Sequence, residues 1–310
     1  MKRKIFLIFA VALFLVISGC QKSGNEKAWV SDVLKEMPAE CNSIAYIHTN
    51  QINEKPLIKE IIKKFDAKST IMTNLTFGTG KIIIPDLLIA FLEKQSGKNN
   101  FIILFKLTKY QQKQIEEYRN LLFKEAVKIE GKDFLELRKQ FDKEPAYLGR
   151  IKPELGILAT RENISKVLKG EHLSSIDIKV FKEQMNAINT SKPFIWAVGK
   201  AGPQIDAKGP VNQLNSLSAK VQKFSFELNA NNNLAINAFL SYENENKASD
   251  IENGFKGILS LAGAFLAASS PAIKNMLRNI NIGRKGNVVN IKTDWDKKDI
   301  LELMQKPLKF

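Results

Sequence analysis

The stretch Pro145–Gly170, PAYLGRIKPELGILATRENISKVLKG, decides the reading of the fold. Residues 145–160 are two short apolar runs broken by turn residues, the pattern of a β-hairpin. After Thr160 comes a polar turn, and ENISKVLKG then reads as a closing helix, with Gly170 where a left-handed residue ends a helix. Strands that run directly into an amphipathic helix belong to an α+β layer.

Upstream, NNFIILFKLT (99–108) is a strand, and Thr108 with Gln111 makes a capping box. Ile115, Tyr118, Leu122 and Ala126 then form the apolar stripe of a helix. SIAYIHTN (43–50) is a strand, and EKPLIKEIIKKF (54–65) a helix with Pro56 near its start. KIII before Pro85 reads as a short strand and DLLIAFLEKQ as a buried helix. A polar segment follows at 171–192.

Downstream the order repeats. PFIWAVG (193–199) is a strand, and PVNQLNSLSAKV is helical. KFSFELNA and LAINAFLSYE form a hairpin about Asn231-Asn232-Asn233. Ser249 with Glu252 repeats the capping box, and Ile251, Phe255, Ile258, Leu259, Ala262 and Leu266 make a helical stripe. NVVNIKTDW (287–295) is a strand, and KKDILELMQK closes the chain. The endings GILATRENISKVL and VNIKTDWDKKDILEL both run strand, Thr, polar turn, helix. The expected fold class is therefore α+β: two similar modules of antiparallel sheet with packed helices, related by duplication. The expected boundaries are 31–185 and 186–310.

The N-terminus gives an address. Lys2, Arg3 and Lys4 precede Ile5–Ile17, which holds no polar or charged residue. A basic segment and a short apolar run are the parts of a secretory signal, and the run is too short to span a bilayer comfortably. Its end, Ile17-Ser18-Gly19-Cys20, resembles the lipobox of bacterial lipoproteins. That resemblance implies cleavage after residue 19, a diacylglycerol thioether on the Cys20 sulfur and an acyl chain, such as palmitate, on its freed amine. Residues 1–19 are then a signal peptide, and 20–30 a lipidated cysteine with a short tether. Two or more chains anchor stably where one does not. Gln21, in place of the Asp that retains enterobacterial lipoproteins at the inner membrane, resembles the class sorted to the outer membrane, facing the periplasm. The polar stretch QKSGNEK (21–27) reaches at most about 25 Å at roughly 3.6 Å per residue. Trp29, Val30, Val33, Leu34 and Met37 follow it at helical spacing.

The strand and helix order over most of the mature chain resembles a family of uncharacterised bacterial envelope proteins, in which two antiparallel α+β modules follow a signal peptide. That resemblance implies a fold and a compartment and carries no site residues.

Composition narrows the function. The formal charge is +15; without the three cations of the signal it is +12. Of 47 basic residues seven are Arg, so 40 are Lys, and they are dispersed. Specific phosphate recognition favours the planar fork of Arg, so no nucleic-acid partner is expected, only weak contact with an anionic membrane surface. With Cys20 lipidated, Cys41 has no intrachain partner, and it reads as a small buried hydrophobe.

Catalytic constellations fail one by one. His48 sits in an alternating strand and reads as structural; His172 follows a helix-ending glycine. FGTGK (77–81) lacks the first Gly and the final Ser or Thr of a phosphate loop. NGFKG (253–257) lies inside a predicted helix. DWDKKD (294–299) lacks the glycine and distal Glu of a calcium loop and reads as the cap of the last helix. No catalytic residue, cofactor or metal site is expected. GILSLAGAFLAASSPAI (257–273) is apolar nearly all round and reads as a central core helix, with a hydrophobic groove or a close helix contact as the alternative. The expected function is a non-catalytic envelope lipoprotein with an interaction or scaffolding role toward an envelope protein. A carrier for a lipid-like or anionic ligand is the alternative.

Overall fold

A computed structural model describes residues 26–48, 55, 57, 60, 87–92, 101–117, 119–138, 144–188, 193–200, 221–266 and 270–305. The protein is mixed helix and antiparallel sheet. It divides into two compact units, one drawn from 1–54 and 65–182, the other from 55–64 and 183–310.

The first unit opens with α1 (Glu26–Val33) and a 3-10 turn (Leu34–Glu36), which bury Val30, Val33, Leu34 and Met37. Glu26 and Lys27, expected in the tether, are the first turn of this helix. The strands are β1 (Cys41–Ile47), β2 (Leu87–Leu92), β3 (Phe101–Lys106), β4 (Phe123–Ile129), β5 (Lys132–Leu137), β6 (Tyr147–Lys152) and β7 (Leu155–Ala159). Their order across the sheet is β1-β2-β3-β7-β6-β5-β4, with each neighbouring pair antiparallel. α2 (Lys109–Glu117) and α3 (Arg119–Leu122) carry the chain from β3 to the far strand β4, and the hairpins then step back until β7 pairs with β3. Helices α4 (Arg161–Lys169) and α5 (Ser175–Ala187) follow, and the division between the units falls within α5.

The hairpin and closing helix of Pro145–Gly170 are present. Thr160 accepts from the Asn163 amide at the start of α4, and Gly170 ends it at φ 80°. Two glycines of this hairpin admit aromatic rings from the neighbouring strands. Gly149 lies opposite Phe134, and a Cβ there would stand 2.2 Å from the ring. Gly156 lies opposite Phe105, with 2.3 Å to the ring. Rings laid over glycines fill the space a side chain leaves and pin the strand register.

Several expectations need correcting. Leu87–Leu92, inside the expected buried helix, is β2; it is buried on both faces, so it shows no alternation. The stripe through Ala126 ends early: the helix stops at Leu122, and Ala126 belongs to β4. The hairpin β4–β5 turns on Glu130 (φ 46°) and Gly131 (φ 79°), two successive left-handed residues as a type I′ turn requires. The polar segment 171–192 contains α5, which buries Phe181 and Met185. The Gln111 side chain of the first capping box and the KIII strand lie outside the described residues, as does most of the helix at 54–65.

The second unit holds β8 (Ile195–Gly199), β9 (Lys223–Ala230), β10 (Asn233–Ser241), β11 (Ile280–Lys285) and β12 (Val288–Asp296) in the order β8-β9-β10-β12-β11. Helices α6 (Glu245–Leu266) and α7 (Pro271–Arg278) lie between β10 and β11, and α8 (Lys297–Gln305) closes the chain. α6 starts earlier than expected. Asn244 Oδ1 accepts from the Lys247 amide at 2.9 Å, so Ser249 and Glu252 lie within the helix rather than at its cap. α7 is capped by Ser270, whose Oγ accepts from the Ala272 amide, with Pro271 first in the helix. Tyr242, Ala248, Ile251, Val221 and Val289 form a buried cluster flanked by Phe224, Leu240, Phe255, Ile282 and Ile291. Of the helical segment expected at 210–221, all but Val221 lies outside the described residues.

The apolar stretch 257–273 is not a core helix. Leu261 is 57% exposed, Gly257, Ser260 and Ala264 are exposed, and Ile258, Leu259, Ala262 and Gly263 are half-buried. Burial resumes at Ala272 and Ile273 in α7.

Candidate functional site: the amide-lined face of the second sheet

Strand alternation divides the side chains of the second sheet into two sets. Phe224, Leu228, Ile236, Leu240, Val289, Ile291 and Trp295 share one face, because Ile236 pairs with Leu228 and Thr293, and Leu240 with Phe224 and Val289. Trp295 Nε1 on that face donates to the Met276 carbonyl of α7 at 3.0 Å. The other face carries Phe239 and Val288 toward one end and is polar beyond them. Asn237 pairs with Glu227 of β9 and with Lys292 of β12, and Lys292 pairs with Asn281 of β11. Asn229 and Asp294 flank this row through Ala235.

These side chains are ordered by one another. Asn237 Nδ2 donates to Glu227 Oε2 at 3.4 Å, and Asn237 Oδ1 accepts from Asn290 Nδ2 at 2.9 Å. Asn290 Nδ2 also donates to the Ala238 carbonyl at 3.0 Å. The result is a polar row across three strands, bordering an open trough of about 630 Å³ lined by Glu227, Asn229, Asn237, Asn281, Lys292 and Asp294 among others. Amides offer both a donor and an acceptor, carboxylates accept and Lys292 donates. Such a surface is fitted to recognise a ligand rich in hydroxyl or amide groups. No single strand of the sequence reveals it. Its signal was the alternation of Glu227 and Asn229 in KFSFELNA and of Asn290, Lys292 and Asp294 in NVVNIKTDW, with Asn237 alone in LAINAFLSYE.

The residues singled out from the sequence lie elsewhere. Cys20 and FGTGK lie outside the described residues. His48 is 2% exposed in the first unit, its ring 4.9 Å from Tyr46 at 69°. Tyr46 meets Trp29 of α1 edge-on at 6.0 Å, and Lys106 Nζ stands 5.4 Å from the Trp29 ring. This cluster clamps α1 to the sheet. His172 makes an isolated bridge with Pro38, joining the segment before β1 to the segment after α4. Cys41 is buried and its Sγ lies 3.6 Å from the Ser43 carbonyl. NGFKG lies within α6, and DWDKKD passes from β12 into α8 without a loop. Asp299, the third residue of α8, is 6% exposed and its Oδ1 accepts from Asn275 Nδ2 at 3.4 Å. Among the described residues no group of three His, Cys, Asp or Glu side chains could hold a metal.

In the first unit Glu40 and Lys166 form a partly buried pair. Glu40 Oε1 and Lys166 Nζ are 3.0 Å apart, and Lys166 also reaches Glu162 at 3.5 Å. Burial works to raise the Glu40 pKa, but the hydrogen bond from Lys166, the backbone and the Lys166 charge together hold it below its ordinary value. No family model, curated protein or solved structure matches this chain, so no family is assigned to it.

Proposed function

We propose that this chain is a bacterial envelope lipoprotein, anchored through lipid on Cys20 on the extracytoplasmic side, whose body binds rather than transforms its partner. The anchor rests on the order Ile17-Ser18-Gly19-Cys20 behind a basic and then apolar segment. The binding role rests on one observation, the row Glu227–Asn237–Asn290. Amides held by one another present fixed hydrogen-bonding positions, which favours recognition. Gln21 favours the outer membrane, facing the periplasm. The alternative, a carrier for a lipid-like ligand, draws on the apolar stretch Gly257–Ile273.

The duplication belongs to this proposal. In both units three strands form a meander, helices lead away, the last strand returns beside the third and a helix closes. The orders β1-β2-β3-β7-β6 and β8-β9-β10-β12-β11 correspond, with the hairpin β4–β5 additional in the first unit. The closing helices agree in detail: Asn163 and Asp299 are both third in their helix, and both are buried polar residues.

The test of the anchor is Cys20→Ser. It should stop labelled palmitate entering the protein and leave uncleaved precursor; a mutant that still takes up label removes the lipoprotein reading. The test of the face is photo-crosslinking in cells from Asn281, with Arg138 as reference. A discrete product from Asn281 alone supports recognition there, and equal or absent products from both oppose it.

A further inference from the structure

The exposed half of α6 combines two independent features. One is apolar exposure: Leu261 is 57% exposed, and a Cβ added at Gly257 or Gly263 would meet nothing within 4 Å. The other is charge. From Asn253 to Thr293 the sequence contains no Asp or Glu, while Lys256, Lys274, Arg278, Arg284, Lys285 and Lys292 all fall within it and are all exposed. Acids are 32 of the 310 residues, so a gap of this length departs from the rest of the chain. Lys292 lies on the amide-lined face, and Arg284 is held by Glu252 at 3.3 Å, as Lys256 is at 2.7 Å. Lys285 shares the amide-lined face with Lys292, four residues beyond Asn281 in β11. That leaves Lys274 and Arg278, exposed and one helical turn apart on α7, which packs against α6, while the acids that meet α7, Asp299 and Glu302 of α8, accept from Asn275 and Ser270.

We propose that α6 and α7 form a membrane-docking surface, on which Leu261 and its small neighbours enter the interfacial region of an anionic phospholipid bilayer while Lys274 and Arg278 meet the headgroups. A helix that lies on a membrane combines an apolar face with basic residues beside it and is not apolar enough to span. The uncharged helical run Gly257–Leu266 is about half the roughly 20 residues a span requires, and no described helix is long and apolar enough to cross. Charge complementarity selects the occupant. A second copy of this surface would bring Lys274 and Arg278 against their own kind, whereas an anionic leaflet attracts them. This contact is separate from the lipid on Cys20. It goes beyond the anchoring reading, because it concerns which face of the second unit the bilayer covers.

The test places an environment-sensitive fluorophore at residue 261 of the full chain through Leu261→Cys, with Asn281→Cys on the amide-lined face as reference. Cys41 is buried and Cys20 is blocked when lipidated; a Cys20→Ser background serves if it is not. The protein is mixed with vesicles of phosphatidylcholine alone or with about one-third phosphatidylglycerol. Flotation reports whether the protein is anchored, and the fluorophore reports the docking surface whatever flotation gives. The expected result is a blue shift at 261 on anionic vesicles, quenched by nitroxide-labelled lipid, with none at 281. Lys274→Glu with Arg278→Glu should reduce that shift severalfold while leaving circular dichroism unchanged. No shift at 261 on either vesicle overturns the proposal, as does an equal shift at 261 and 281. An equal shift at 261 on neutral and anionic vesicles overturns the part assigned to Lys274 and Arg278.

Discussion

The ring of Phe134 lies over the backbone of Gly149, directly opposite it across β5 and β6. Phe134 is 1% exposed, so the ring has no free space to retreat into. Gly149→Ala should therefore overpack the site and cost about 1–3 kcal/mol. Urea unfolding checks this, and an unchanged midpoint would show that the two strands yield easily. Gly131→Ala should also destabilise, but by backbone strain at φ 79°, since nothing stands within 4 Å of its added Cβ.

Trp295 Nε1 shares the Met276 carbonyl with the Asn279 amide, at 3.0 and 3.2 Å. Trp295→Phe keeps a ring against α7 and loses one donor. The carbonyl retains its other partner, so the loss should be about 1 kcal/mol. Thermal unfolding at matched protein concentration measures it.

Tyr242 is fully buried within an apolar cluster, and its hydroxyl has no hydrogen-bond partner among the described residues. Burial pushes its pKa well above that of an ordinary tyrosine. Tyr242→Phe removes a polar atom already without a hydrogen bond. Stability should stay level or rise by about 1 kcal/mol. A marked loss would identify a bond to that hydroxyl which this geometry lacks.

The Glu40–Lys166 pair makes stability depend on pH. The carboxyl pKa is lowered on folding, so its contribution is present above its ordinary value of 4.5 and is lost as pH falls through the lower folded value. Lys166 is raised on folding, so its contribution is present below 10.5 and is lost as pH rises through the higher folded value. Each loss should be about 0.5–1 kcal/mol, because both groups keep some solvent. Glu40→Gln should flatten the acid limb of a stability profile below pH 4.5. An unaltered limb would assign that slope to other carboxylates.

The legibility of this fold varied with the pattern each element left. β6 and β7 were readable from apolar runs broken by turn residues, α4 from its Thr160 cap and terminal Gly170, and β9 and β10 from alternation about an asparagine turn. β2 was misread because LLIAFL, buried on both faces, has neither the period of two nor that of 3.6. β4 and β5 were hidden by charge. Lys124, Glu125, Lys128 and Asp133 break the apolar pattern, and Glu130-Gly131 is a weaker turn signal than Asn-Gly. The apolar composition of 257–273 pointed inward, and only packing reveals that Leu261 faces solvent. The amide-lined face was written in the same letters that identified the strands, but joining Glu227, Asn237 and Asn290 needed a register that no single strand contains.

β4 is the outermost strand of the first sheet, and its exposed residues are Lys124, Glu125, Ala126 and Lys128. Lys124 is further held against Glu136 of β5 at 2.5 Å. A strand arriving from another molecule would have to strip water from three charged side chains before it could form its first ladder bond. The β4–β5 hairpin, which has no counterpart among the described residues of the second unit, thus ends that sheet in a fence against amyloid-like stacking. Such a fence matters most where copies are crowded together in two dimensions.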